Sequence, residues 1–501
     1  MDFLDPNYDR GARIKLLLGY CLVSLAIGIA TLVLLYWSYG YNIDQQGQVA
    51  QNGLLFVASQ PSGASIYLNG QRYASNTNTR VTTEAGSYML KIAETGYRSW
   101  ERPIVVAGGD VQDFTYPFLF PRTLKTTAVS QFKTDPSLAT QSLDQRWLLL
   151  AYASDSGTFA EYDMSNPAKP VEATISVPAS DFTSGTGAQQ WKPIAWASDN
   201  RHVLLLHDYT SGSGVQHEYI LFDRQTPSKS VNLTTALKLS QADTISLYNG
   251  DPSQFYVYNA THQTLQHING TTDVSELEHV LAYKTYGSDV ILYATNYSPT
   301  GKTTLKQVSI VLQMGQKTFT LRTLPSTGNA NYMLDLAQYS GDWYVAIAST
   351  TSPTIYIYKN PQQETTIGSD GYPAPWRRVA LNNPSYMSFS ANDQFLLMES
   401  GQNFLVYDFE NDSHRQYQTT QPLDKPQTHA TWMDGYRLEY VSRGKLFVFD
   451  YDYYNQQTLV AANPAFLPFY SNNFSYLYTL EQVGTTHNSE PLLASTPLVV
   501  K

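Results

Sequence analysis

The sequence predicts an all-β body that follows one N-terminal transmembrane helix. Beyond residue 53, the apolar runs are four to eight residues long and rich in Val, Ile, Tyr, Phe and Leu. They end at Gly, Asn, Asp, Pro or Ser, a pattern typical of strands and turns. Between residues 16 and 43, by contrast, no residue is charged. A chain of 501 residues is long enough for about two or three domains that each bury a core.

Composition narrows the classes of function. Charged residues make up 15% of the chain and the formal net charge is -10, whereas nucleic-acid-binding proteins carry a basic field. Nucleic acid is therefore not an expected partner. The single cysteine, Cys21, lies in the apolar run, so no intramolecular disulfide can form and the stability of the body must come from packing. A cysteine-free exported body of this size is typical of a bacterial cell envelope.

The first predicted element is the transmembrane helix, over residues 16–37. About 20 helical residues, each rising about 1.5 Å, cross a hydrocarbon core of about 30 Å. The uncharged run is therefore long enough to span a membrane. The polar residues that follow show no apolar period and predict a flexible linker over residues 38–53.

The charges that flank the run predict its orientation. Arg10, Arg13 and Lys15 precede it, whereas the next positive residue stands far downstream, at position 72. The positive-inside rule therefore makes residues 1–15 a cytoplasmic tail of a single-pass cell-membrane protein whose C-terminal body is extracytoplasmic. Trp37, with the tyrosines around it, would lie at the outer interface as part of an aromatic belt.

Three other interpretations of this segment compete with a membrane anchor. Ser38-Tyr39-Gly40 has the small-x-small form of a signal-peptide cleavage site, but the run exceeds the usual apolar region of about 7 to 15 residues. A lipoprotein signal would place a small residue before its cysteine, whereas Tyr20 precedes Cys21. A buried helix of a soluble domain would carry polar residues on one face. An uncleaved anchor is therefore favoured.

The next predicted unit is a small β-sandwich over residues 54–120. The strands are predicted at residues 54–59, 64–68, 87–93, 104–107 and 114–119. Asn69-Gly70 predicts a type I′ hairpin turn. At about seventy residues, such a unit can fold alone, but only marginally.

This unit resembles the PEGA domain family. The naming motif stands as Pro61, Ser62, Gly63 and Ala64, with Ser62 in place of the acidic residue. The Asn-Gly turn, Gly86-Ser87-Tyr88 and Gly96-Tyr97 also match, whereas the Gly-x-Thr-Pro segment expected near residues 74–80 is missing. The resemblance implies an accessory envelope module without catalytic residues.

From residue 121 to residue 501 the chain repeats a pattern of an apolar strand, a polar turn and a very apolar strand that leads into a hairpin. The clearest copies cover residues 143–150, 197–206 and 390–398, with partner strands at 218–223, 354–358, 403–408 and 445–450. The turns are marked by Asp144, Asp199, Asp251, Asp289, Asp342, Asp393, Asp434 and Asn472, which are 55, 52, 38, 53, 51, 41 and 38 residues apart. Eight irregular repeats are indicated.

A repeat of this length with three or four strands predicts a β-propeller of seven or eight blades. The repeats resemble diverged WD-like propellers, although the Gly-His and Trp-Asp dipeptides of regular WD repeats are missing. The alternative is a pair of β-sandwiches. Sandwiches share the strand length but should not show one repeated marker through the whole segment.

Three segments resemble site motifs but depart from them. Residues 296–303 end in Gly-Lys-Thr, as a phosphate-binding loop does, but Asn296 replaces the first glycine and strands follow instead of a helix. Residues 450–455 carry two aspartates like a calcium loop, but lack its glycine and its downstream glutamate. His202 and His207 would point to opposite faces of a strand. We therefore predict turns here, and no catalytic, cofactor-binding or metal-binding residue.

The function predicted from these features is a membrane-anchored binding or scaffold protein of the cell envelope, not an enzyme and without a cofactor. Its partners would be an envelope protein or cell-wall glycan, for which tyrosine-rich surfaces are suited, although tyrosine is also an ordinary strand residue. The alternative is a hydrolase of envelope polysaccharide or peptide at the funnel of the propeller. Inward-pointing Asp, Glu or His would favour the hydrolase.

Overall fold

The computed structural model of the protein describes most of the chain in two compact units. The described residues are 6–38, 41–43, 49–151, 157–187, 189–212, 214–297, 307–326, 330–364, 366–481 and 491–500. One unit comprises Met1–Thr123 with Val500–Lys501, and the other comprises Leu124–Val499.

The first unit begins with a helix, Pro6–Ser38, which starts ten residues before the predicted span. Within it, the stretch Ile14–Tyr36 is long and apolar enough to cross a membrane, and none of it is buried. Lys15 is exposed. The side chains of Arg10, Arg13 and Trp37, and residues 39–40 of the cleavage-like motif, lie outside the described part.

The segment predicted as a flexible linker, residues 38–53, contains regular structure. The strands Tyr41–Ile43 and Val49–Gln51 pair antiparallel, and a third strand starts at Gly53. The linker prediction is wrong for these strands. It rested on polar composition, but a strand ladder is made by backbone N–H and C=O groups, which every non-proline residue carries. Residues 44–48, between the two short strands, lie outside the described part.

The small β-sandwich is confirmed. Its three-stranded sheet places Gly53–Val57 between Thr79–Thr83 and Val111–Phe114, the latter in parallel. Its four-stranded sheet runs in the order Gln71–Asn76, Ser65–Leu68, Gly86–Ala93 and Trp100–Val106. Leu55 and Val81 of the first sheet share one buried core with Ile66, Ile92 and Trp100 of the second.

Local turn chemistry in this unit agrees with the prediction, whereas two strands were missed. Asn69 and Gly70 have φ of 49° and 80°, the two positive values that a type I′ turn requires. The strands 71–76 and 79–83 were not predicted because they carry few apolar residues. The strand predicted at 114–119 is wrong in position, since the structure has Val111–Phe114.

The second unit contains eight four-stranded antiparallel sheets in its described part, called blades 1 to 8 here. Blade 1 consists of Leu138–Gln141, Trp147–Ala151, Thr158–Asp163 and Val171–Ser176. Blade 2 consists of Gln190–Trp196, His202–Ser211, Gly214–Asp223 and Val231–Asn232. Blade 3 consists of Asp243–Tyr248, Asp251–Asn259, Thr264–Asn269 and Thr272–Leu277. Blade 4 consists of Val280–Tyr286, Val290–Thr295, Gln307–Met314 and Lys317–Pro325.

The remaining blades follow the same plan. Blade 5 consists of Tyr332–Tyr339, Asp342–Ser349, Ser352–Lys359 and Arg377–Ala380. Blade 6 consists of Tyr386–Phe389, Phe395–Ser400, Asn403–Asp408 and Ser413–Gln418. Blade 7 consists of Thr431–Trp432, Arg437–Ser442, Lys445–Asp450 and Gln457–Ala461. Blade 8 consists of Phe469–Tyr470, Tyr476–Glu481, Leu492–Pro497 and Thr127–Gln131. A 3-10 turn, Pro227–Lys229, lies between the third and fourth strands of blade 2, and a one-turn helix, Leu233–Ala236, lies between blades 2 and 3.

The ring of blades is closed by the start of the unit. Thr127–Gln131 pairs antiparallel with Leu492–Pro497 and so completes blade 8 with a strand from the other end of the unit. Buried Leu148 and Leu150 of blade 1 share a core with Tyr478 and Leu493 of blade 8. The repeats therefore form a closed eight-bladed β-propeller, within the predicted range of seven or eight.

The predicted turn markers are placed consistently in all eight blades. Each lies between the first and second strands of its blade, or is the first residue of the second strand. The side chain of Asp199, for example, accepts hydrogen bonds from the backbone N–H groups of Arg201 and His202. A carboxylate that bonds the backbone two or three residues on stabilises such a turn, which explains why the marker recurs.

Candidate functional site

First strands of neighbouring blades contact one another, which places them at the inside of the ring, and polar side chains gather on or beside them from blade 4 to blade 7. We call this group the inner cluster: Lys284, Asp335, Tyr386, Glu399 and His429. Lys284, Asp335 and Tyr386 come from the first strands of blades 4, 5 and 6. Glu399 lies opposite Tyr386 on the next strand, and His429 precedes blade 7. The cluster therefore joins four consecutive blades.

Asp335 makes contacts with three blades. One of its carboxylate oxygens lies 3.1 Å from Lys284 Nζ of blade 4 and accepts from the Leu336 N–H at 3.0 Å. The other accepts from the backbone N–H of Phe389 in blade 6 at 3.1 Å. Asp335 is only 5% exposed, so each of these contacts replaces water that the carboxylate has lost.

Tyr386 and His429 form a stacked pair. Their ring centroids are 3.7 Å apart with an interplanar angle of 13°, and Thr428 Oγ1 lies 2.9 Å from His429 Nδ1. Burial lowers the pKa of His429, so its imidazole is neutral at neutral pH. Burial raises the pKa of Tyr386, and the negative charge of Asp335 adds to that shift. The pair is therefore an uncharged aromatic platform between two blades.

Glu399 is the most buried acid of the inner cluster. It is 1% exposed, and its two carboxyl oxygens lie 3.0 and 3.2 Å from the backbone nitrogen of Ala430, which donates to them from the next blade. Burial raises the pKa of Glu399 well above its usual range. Burial therefore favours the protonated form of this carboxyl group, whose contact with Ala430 ties blade 6 to blade 7.

The same type of contact continues to blade 8. Tyr470 donates its hydroxyl hydrogen to the buried carboxyl of Glu439 in blade 7, and burial raises the pKa of that carboxyl to about 8. Two tryptophans act similarly, since Trp196 Nε1–H donates to Thr140 Oγ1 of blade 1 and Trp432 Nε1–H donates to Ser388 Oγ of blade 6. Side-chain hydrogen bonds thus connect neighbouring blades at several points around the ring.

The hydrogen bonds between neighbouring blades hold the inner strands in fixed positions, so the arrangement supports a rigid surface. Glycoside hydrolysis uses two carboxyl groups about 5 to 10 Å apart that both reach the substrate. Asp335 and Glu399 are both buried and bonded to neighbouring blades. Among the described residues, no group of three or more His, Cys, Asp or Glu is placed to hold a metal ion.

The residues singled out from the sequence lie elsewhere. Pro61, Ser62 and Gly63 form the turn before a strand of the sandwich, and Gly63 has φ of 86°. Ala64 is fully buried, and its N–H donates to Thr77 Oγ1 at 2.9 Å. The motif that names the family therefore shapes the backbone and supports the core of that unit.

The structure also shows what the residues of the three motif-like segments contact, for those residues that it describes. His202 lies 2.6 Å from Asp199 in its turn, whereas His207 is fully buried and lies 2.9 Å from Glu218. Residues 450–455 form a turn in which Asn455 donates to Asp450 at 2.8 Å. Of residues 296–303, positions 298–303 lie outside the described part.

Comparison with known proteins identifies the small unit. Residues 52–119 match the family model of the PEGA domain, so the resemblance seen in the sequence is confirmed for that unit. No curated protein matches the chain.

Three solved structures are similar to this chain at low identity. Kluyveromyces lactis Hsv2 is 12% identical, with 65% of this chain and 97% of that chain covered and a TM-score of 0.37. The dihydro-heme d1 dehydrogenase NirN is 14% identical, with 65% and 66% covered and a TM-score of 0.39. Citrobacter koseri AztD is 10% identical, with 75% and 91% covered and a TM-score of 0.36. The propeller assignment itself follows from the strand order.

Proposed function

We propose that the protein is a membrane-anchored binding or scaffold protein of the cell envelope, whose propeller presents a rigid face to an envelope protein or to cell-wall glycan. The observation that carries the proposal is that three buried acidic side chains form hydrogen bonds between neighbouring blades. Asp335, Glu399 and Glu439 each bond a neighbouring blade, which fixes the inner strands relative to one another. A pre-organised surface loses little conformational freedom when it binds a partner.

The membrane placement is supported by the N-terminal helix. None of its apolar stretch Ile14–Tyr36 is buried, which is unfavourable in water and favourable in lipid. Arg10, Arg13 and Lys15 precede it, and this charge bias favours a cytoplasmic N-terminus. A PEGA domain and a propeller follow in the chain, both extracytoplasmic in this proposal.

The binding role is tested by crosslinking on intact cells. A tagged full-length chain is treated with a membrane-impermeant crosslinker, purified through the tag and analysed for covalently attached protein and glycan. The control is a tagged segment of residues 1–53, which keeps the anchor but lacks both β units. We expect reproducible envelope partners with the full chain only. Recovery of the same material with both, or of none, would contradict the proposal.

The orientation is tested separately by adding protease to intact spheroplasts. We expect the β-rich body of residues 54–501 to be digested, while an epitope tag fused to the N-terminus remains protected. Lysed spheroplasts are the control, because the N-terminal tag should be lost from them. Survival of the body in intact spheroplasts would show that it lies in the cytoplasm.

A further inference from the structure

A cavity of about 340 Å³ opens beside the hairpin between the second and third strands of blade 7. It lies outside the inner cluster. Its lining consists of Gln421, Ser442, Arg443, Lys445, Phe447 and Thr458. Small-molecule sites usually have volumes of about 300 to 1,000 Å³, so this cavity is large enough for a small ligand or for part of a polymer.

Strand register explains why these side chains meet. Ser442 lies directly opposite Lys445, and Phe447 lies opposite both Tyr440 and Thr458. Alternate residues of a strand and their direct cross-strand partners share one face of the sheet. One face of blade 7 therefore presents an ammonium group, two hydroxyl groups and an aromatic ring next to one another.

The cavity is positively charged although the protein is acidic overall. Arg443 and Lys445 are exposed, and neither forms an ion pair within the part of the chain that the structure describes. The nearby carboxylate of Asp424 accepts a hydrogen bond from the Gly444 N–H at 2.6 Å, which fixes the turn between them. With a formal net charge of -10 on the whole chain, two adjacent unpaired cations indicate attraction for an anion.

Ser442 provides an independent indication of a ligand. It is 6% exposed, and its Oγ has no hydrogen-bond partner among the described residues. Buried hydroxyl groups nearly always have a partner, so an unpartnered one requires an explanation. Arg443 and Gly444 have φ of 53° and 70°, the two positive values that a type I′ turn requires, so the turn holds Arg443 between Ser442 and Lys445.

We propose that this cavity binds an acidic glycan, which deepens the proposed function by naming the ligand class and therefore rests on it. Arg443 and Lys445 would bind the carboxylate or phosphate group. Ser442, Thr458 and the amide of Gln421 would bond the sugar hydroxyls, and Phe447 forms the apolar part of the wall. A glycan fits better than an acidic peptide because three of the six lining groups are neutral hydrogen-bonding side chains.

The test measures binding of three soluble oligosaccharides to the full chain purified in detergent, by titration calorimetry. Trigalacturonate carries carboxylates, phosphorylated mannotriose carries phosphates, and maltotriose is neutral. We expect an acidic ligand to bind and maltotriose not to bind.

The double variant R443Q/K445Q should weaken binding about tenfold for each charge-assisted bond lost, and S442A should weaken it by a smaller factor. The matched control, K169Q/K317Q, removes two exposed cations from other blades and should leave binding unchanged.

The two acidic ligands separate the possible sources, since tighter binding of one identifies a carboxylate-bearing or a phosphate-bearing glycan. Equal binding of maltotriose, or full binding by R443Q/K445Q, would overturn the proposal. If none of the three binds while crosslinking on cells still yields a partner, this inference fails and the proposed function stands. If both experiments fail, both are overturned.

Discussion

Replacing Asp335 with alanine is expected to lower the free energy of unfolding of the propeller by about 2 to 3 kcal/mol. The change leaves the Phe389 N–H without the acceptor it has at 3.1 Å and leaves Lys284 Nζ without its partner. Most of the loss should come from the amide, because an unpaired buried donor loses its hydrogen bonds to water without replacement. Lys284 is 49% exposed, so water can solvate its charge.

Asparagine at the same position separates these two contributions. Asp335→Asn keeps one oxygen that can accept from Phe389, while its NH2 group replaces the oxygen that faces Lys284 and the Leu336 N–H, so we expect a loss below that of the alanine variant, about 1 kcal/mol. Urea unfolding of the full chain in detergent gives both values, and hydrogen exchange at the Phe389 amide should accelerate in the alanine variant only. Equal losses in the two variants would show that Asp335 does not act through that amide.

The architecture could be predicted because its signals are local. Asp144, Asp199 and Asp434 each accept a hydrogen bond from a backbone N–H two residues further on, so turn chemistry leaves the same residue type at the same place in successive blades. The Asn69-Gly70 turn was readable for the same reason, since both residues tolerate positive φ. Strands made mainly of polar residues, such as 71–76, give no such signal and were missed.

The inner cluster could not be predicted because its contacts are not local. The Phe389 amide and the Asp335 carboxylate are 54 residues apart in the chain, and spacing in the sequence does not show which blades become neighbours. Glu399 lies in a very apolar strand, and Glu439 lies between Leu438 and Tyr440 in its strand; this apolar setting is the one available signal. An acid within such a strand indicates a buried carboxyl group that needs a partner, but the sequence does not identify that partner.

Glu439 should make the stability of the propeller depend on pH. Its pKa in the folded protein is about 8, whereas an unfolded glutamate has a pKa of about 4.3. Between these two values the folded state holds a proton that the unfolded state has released. Stability should therefore fall as pH rises through this window, by up to about 1.4 kcal/mol per pH unit, and should level off above about pH 8.

Glu439→Gln isolates this contribution, because glutamine has nearly the shape of the protonated acid and keeps an oxygen for the Tyr470 hydroxyl. Urea unfolding midpoints between pH 5.5 and pH 8.5 should fall less steeply in this variant than in the wild type, so that the variant is the more stable protein at pH 8.5. Some slope should remain, since burial also raises the pKa of Glu399.

Glu276→Gln makes the same change at an exposed residue and should keep the wild-type slope. Identical slopes in all three proteins would mean that Glu439 is ionised in the folded state, which would contradict the burial that raises its pKa beside Tyr470.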